Sequence, residues 1–135
     1  MLLTEDVLNS PVYKSVYHVS EKHSDEYTAR IREIVGDEFI VMRSWINGIE
    51  IQRKGTGKGD SVRRFKELLG DRARLVVGAG NYENDIDLIR EADIGYAVRD
   101  SIPSLLAVAD RITVNCGDHA IAAIIAELEQ KDLLH

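Results

Sequence analysis

The sequence predicts an α/β fold made of two unlike halves, and three observations carry that prediction. Residues 61–130 alternate helical and strand patterns, which implies a parallel sheet covered by helices. Residues 12–53 instead read strand, helix, hairpin. Between them KGTGKGD, residues 54–60, sets three glycines among two lysines and reads as a flexible polar joint.

Taken in order, residues 12–19 are rich in Val and Tyr and predict a strand. Ser24 is a candidate N-cap for a helix whose apolar residues are Tyr27, Ile31, Ile34 and Val35, stopping at Gly36. Residues 38–45 predict a strand, Asn47-Gly48 a hairpin turn, and residues 49–53 the return strand. After the joint, Val62, Phe65, Leu68 and Leu69 form the apolar face of a helix that ends at Gly70. A buried strand over 74–79, a helix over 84–92 and a strand in IGYAV follow. Ile102-Pro103 opens a short helix, RITVN is a further strand, and residues 118–130 form a last helix with Ile121, Ile124, Ile125 and Leu128 on one face.

A length of 135 residues is one domain's worth of chain at most, and 44% apolar residues suffice for a core. The net charge of −6 and the lack of a basic run argue against nucleic acid as a partner. No stretch is apolar enough to span a membrane and no secretory signal is visible, so no membrane association is expected. One cysteine, Cys116, cannot form an internal disulfide, which suits the reducing cytoplasm.

The chemistry concentrates in GNYEND and the residues just after it. Ligands of parallel sheets sit at the carboxyl ends of the strands. A strand over 74–79 that turns at Gly80 brings Asn81, Asn84 and Asp85 to such an end. Converging side-chain oxygens suit Mg²⁺ beside a phosphate, and Lys58 could supply a point charge to that phosphate. The same residue types are also the commonest helix N-caps, and a lysine in a glycine-rich loop is usually just solvated. The residues alone leave both accounts open. KGTGKGD lacks the G-x-x-x-x-G-K-[ST] spacing and is not a Walker-type phosphate loop.

Over most of its length the chain resembles the carboxyl-terminal half of a haloacid dehalogenase superfamily phosphatase of the Cof type, type IIB. IEIQ and KGDSVRRFKELLG fit the end of a cap and the lysine-bearing helix, and GNYEND matches Gly-Asp-x-x-Asn-Asp except at Asn81. Ala92-Asp93, Gly95 to Val98, and Ala109-Asp110 with Thr113 follow in the expected series. The resemblance implies a partial Rossmann-like three-layer core with parallel sheet and helices over residues 54–135. Residues 1–53 would be the last part of an α/β cap. It implies Mg²⁺-dependent hydrolysis of a small phosphorylated metabolite. Lys58 would contact the phosphoryl group as catalytic and substrate-binding residue, and Asn84 the substrate phosphate. Asn81 and Asp85 would hold the metal, Asp85 through a water. Arg43, Ser44 and Trp45 would stand near the substrate pocket in mainly structural roles.

Two departures shape the expectation. Asn81 keeps an oxygen ligand but loses the charge of the usual aspartate, so Mg²⁺ would be held more weakly. The family's Asp-x-Asp, nucleophile and general acid–base, is not found at the end of a first core strand. Glu5 and Asp6 follow only Leu2-Leu3-Thr4, and Leu8 stands where a second aspartate would be needed. The chain is therefore expected to be a truncated member, inactive alone. The strand over 74–79 would then be an edge, open to a second copy in a homo-oligomer or to a complementing front-half polypeptide. The alternatives are a non-catalytic phosphate-binding or regulatory homologue, or a fragment.

Overall fold

The structure is a computed structural model and describes residues 11–133; Glu5, Asp6 and Leu8 lie outside them. Its first unit is an antiparallel sheet of β1 (Lys14–His18), β2 (Phe39–Trp45) and β3 (Gly48–Arg53), in the order β1-β3-β2. α1 (Ser24–Val35) packs on one face. Pairing of Lys14 with Gln52, Val16 with Glu50 and Met42 with Glu50 sets the register. Side chains alternate across a strand. Val41 and Ile49 are therefore buried on the α1 side, while Met42, Glu50 and Gln52 share the other face.

The second unit is a parallel sheet of β4 (Val77–Gly80), β5 (Ile94–Ala97) and β6 (Arg111–Ile112), in that order. Four helices belong to it: α2 (Lys58–Leu69), α3 (Ile86–Glu91), α4 (Pro103–Leu106) and α5 (Ala120–Gln130). One face carries a core of Ile89, Ala97 and Leu105, with Ile86 and Ile102 against it. The other packs Tyr96 against Ile124 and Leu128, with Val77 and Ala79 beside them. Helices on both faces of a parallel sheet make the expected three layers. β4 is an edge among the described residues.

Several local expectations are corrected. Ser24 is not an N-cap. A 3₁₀ turn over Glu21–His23 leads into α1, and the Ser24 hydroxyl donates back to Glu21 O at 3.0 Å. β4 starts at Val77, not at residue 74; just ahead of it the Asp93 carboxylate accepts the Val76 N–H at 2.8 Å in place of a strand partner. α5 starts at Ala120 because His119 sits in the left-handed region, φ 59°. Helix α2 leaves Phe65 and Leu68 55% and 74% exposed, and Ile34, Ile121 and Ile125 are exposed likewise. α2 packs chiefly on α3 rather than on a strand, and part of its apolar stripe stays in water.

Candidate active site

The turn after β4 is built around one carboxylate. Asp85 is 6% exposed, and its Oδ2 accepts the N–H groups of Asn81 at 2.9 Å and Tyr82 at 3.3 Å. Its Oδ1 accepts from Lys58 Nζ. Gly80 makes room for this: a Cβ there would overlap the Asp85 side chain, with Cγ at 2.8 Å. The Asp85 carboxylate thus caps the 3₁₀ turn Glu83–Asp85 that leads into α3 and pairs with a cation at once. The capping account that the sequence left open holds for Asp85, which also forms an ion pair with Lys58.

Lys58 is the first residue of α2, where the Asp60 carboxylate accepts the Gly57 N–H at 3.0 Å and fixes the turn. Lys58 and Asn84 line a cleft of ≈ 350 Å³ together with Lys14, Met42, Glu50 and Gln52 of the antiparallel unit. Asn81 and Asp85 line a different groove, ≈ 450 Å³, with Gly80, Val98, Cys116 and His119. The structure therefore brings Lys58 into contact with Asp85, and divides Asn84 and Asn81 between two hollows on either side of that pair.

The acidic run splits into separate duties. Glu83 accepts the Arg43 N–H at 2.8 Å and an Arg32 guanidinium N–H at 2.9 Å, which ties the turn to the antiparallel sheet. Asp87 is exposed and stands near Arg90. Asp85-Ile86-Asp87 is the one Asp-x-Asp in the sequence, but its first member is engaged by Lys58 and its second faces water. Among the described residues, no group of three or more His, Cys, Asp and Glu side chains stands together.

Arg43 pairs with Asp25 and lies over the Tyr82 ring, 5.9 Å from its centroid. Trp45 packs on His18 and Gly48, and the Ser44 hydroxyl is buried without a regular hydrogen bond. None of the three lines the Lys58 cleft.

Lys14, Glu50 and Gln52 form a wall that sequence reasoning missed. Glu50 is 6% exposed and accepts from Lys14 Nζ at 3.3 Å. Burial works against its charge, yet the nearby Ser44 hydroxyl, the Lys14 ammonium and the Asn84 amide outweigh that and hold its carboxyl below the usual range. The sequence signal was an acid between Ile49 and Ile51, on the opposite strand face from both.

Comparison with known proteins identifies the family and the fold. Residues 2–125 match the haloacid dehalogenase-like hydrolase family. Phosphoglycolate phosphatase 2 of Saccharolobus solfataricus is 37% identical over 82 residues, covering 61% of this chain and 35% of that protein. A haloacid dehalogenase-like hydrolase from B. subtilis superposes with a TM-score of 0.77 at 17% identity, over 89% of this chain and 42% of the other. A HAD subclass IIB sugar phosphatase gives 0.72 at 19% identity, over 96% and 47%. The chain thus spans about a third of the curated relative's length and just under half of the solved structures. It belongs to the haloacid dehalogenase-like hydrolases, with the fold of their subclass IIB, Cof-like branch.

Proposed function

We propose that this chain carries the phosphate- and Mg²⁺-holding half of a phosphomonoester hydrolase site. The observation that carries the reading is the Lys58–Asp85 pair at the carboxyl end of β4, with Asn84 beside Lys58 in an open cleft. Lys58 would place its ammonium on the phosphoryl oxygens, held in position by Asp85, and Asn84 would donate its amide to the same group. The donor set fits Mg²⁺ in a limited way. Mg²⁺ commonly takes one or two carboxylates and completes its shell with water and substrate phosphate. Asn81 offers an amide oxygen, and Asp85, already accepting from Lys58, Asn81 and Tyr82, would hold a water of the ion on the same groove. When bound, the ion would supply charge stabilisation to the transferring phosphoryl group.

Attack on phosphorus needs a further carboxylate, which the Asp-x-Asp of the family's front half would provide. We assign residues 1–53 to the end of a cap and 54–135 to the later half of the core. The open edge of β4 is where the rest of the fold would pair, and we favour a complementing front-half segment over a second copy of this chain. An exposed, free Cys116 suits a cytoplasmic setting; among the described residues no helix is long and apolar enough to cross a membrane. A second reading, a non-catalytic phosphate-binding or regulatory homologue, is favoured by Asn81, whose neutral side chain weakens the metal site.

The test is twofold. Calorimetry should show Mg²⁺-dependent binding of inorganic phosphate that Lys58→Ala abolishes. Hydrolysis of a generic phosphomonoester by the purified chain should not exceed that of Asp85→Ala. Turnover that Asp85→Ala removes would mean that an aspartate of this chain attacks phosphorus, and the half-site reading would be wrong.

A further inference from the structure

The cleft at Lys58 has two chemically different walls. One is formed by Gly57, Lys58, Ser61 and Asn84. The other comes from the antiparallel sheet, where Met42, Glu50 and Gln52 face inward and Lys14 sits at the rim. A phosphate held at Lys58 and Asn84 would direct the rest of its molecule at that second wall.

The second wall carries a fixed negative charge. Glu50 is on the middle strand of its sheet, between Val16 and Met42, and is almost fully buried. Its partner Lys14 is on the edge strand β1 with its side chain 48% exposed. Water and salt screen the lysine far more than the carboxylate. Both members line the cleft, so a ligand meets a buried carboxylate set against a more strongly screened ammonium.

We propose that Glu50 is a specificity-determining residue of this site. Its carboxylate selects leaving groups that present hydrogen-bond donors, hydroxyl or ammonium, and excludes those that carry a second negative charge beside the phosphate. This rests on the reading of Lys58 and Asn84 as the phosphate site. The physical basis is asymmetric. A ligand hydroxyl gains a charge-assisted hydrogen bond to Glu50. A ligand carboxylate meets a like charge in a partly dehydrated cleft and offers no donor to Glu50.

Two small probes of similar size separate these cases: glycerol 3-phosphate, whose leaving group carries hydroxyls, and phosphoglycolate, whose leaving group carries a carboxylate. With Mg²⁺ present, calorimetry on the 135-residue chain should show glycerol 3-phosphate binding about tenfold more tightly, the scale of one screened like-charge contact. Glu50→Gln keeps the shape and an acceptor for Asn84 but removes the charge, and should shrink that ratio at least fivefold. Lys14→Met should widen it, which keeps the idea testable if Glu50→Gln folds poorly. Equal affinities in the unsubstituted chain, or a ratio that neither substitution moves, would overturn the role of Glu50. Failure of inorganic phosphate itself to bind, with Lys58→Ala silent, would instead remove the phosphate reading and this inference with it.

Discussion

Gly80→Ala is a direct probe of the turn that builds the site. The added Cβ would lie 2.8 Å from Asp85 Cγ and 2.9 Å from Oδ2. Asp85 Cβ lies nearer still, so relieving the clash requires a shift of at least about 0.6 Å in a side chain pinned on three sides. The Oδ2 contact with the Asn81 nitrogen, now 2.9 Å, would stretch to about 3.5 Å and leave hydrogen-bond range. Overpacking typically costs about 1–3 kcal/mol, and loss of a hydrogen bond to a charged group about 1.5–3 kcal/mol. These overlap, since one movement causes both, so roughly 3 kcal/mol of lost stability is expected. Urea unfolding measures it. Gly117→Ala is the control, because nothing lies within 4 Å of a Cβ there. Gly80→Ala should also weaken phosphate binding, through displacement of the Lys58 partner. A Gly80→Ala chain as stable as Gly117→Ala would refute the claim that Asp85 is rigidly held against β4.

Further outcomes follow from other contacts. Glu83→Ala removes the acceptor of the Arg43 N–H and of Arg32, so hydrogen exchange at the Arg43 amide should accelerate at least about tenfold, the kinetic equivalent of losing about 1.4 kcal/mol. The Lys66 ammonium, with help from the Val76 N–H, holds the Asp93 carboxyl below its ordinary value. A carboxyl lowered by folding contributes stability above its unfolded pKa and loses it as pH falls through the folded one. Asp93→Asn should therefore flatten the decline of stability below about pH 4, measured by urea unfolding across pH, and a curve identical to the parent's would contradict it.

The parallel unit was legible because its signals are local. Apolar strands, glycine stops and Pro103 at a helix start each speak within a few residues. What remained hidden depends on distant partners. Nothing near Val76 announces that Asp93, 17 positions on, will accept its N–H just ahead of the strand. The stripe Val62, Phe65, Leu68 and Leu69 identifies α2, but periodicity does not say what it packs on; its main neighbour is α3, and Phe65 and Leu68 end in water. Lys58 and Asp85 are 27 residues apart; the sequence placed both near one phosphate, and only the fold shows their direct contact. Glu50 was overlooked because its meaning comes from register. Only pairing with Val16 and Met42 places it on the face opposite α1 and over Lys58.

Register and distance do not explain Asn81, whose identity is a question of charge. Lys58 and Asp85 already cancel at the carboxyl end of β4. An aspartate at position 81, on the same groove as Asp85, would leave that end one charge negative unless a cation filled it. Asn81 leaves the turn electrically balanced without a metal, and under the proposed reading it would hold one less firmly. Asn81→Asp should reverse both properties. Without Mg²⁺ the variant should unfold more easily than the parent, by about 1 kcal/mol of like-charge repulsion. With Mg²⁺ it should gain more than the parent does, because a ligand that binds only the folded state stabilises it by about 2.7 kcal/mol at a hundredfold excess over Kd. Thermal unfolding with and without Mg²⁺ reads both effects in one experiment, and the two melting curves should cross in order. If Asn81→Asp responds to Mg²⁺ no more than the parent, the oxygen of residue 81 is not a ligand of the proposed site.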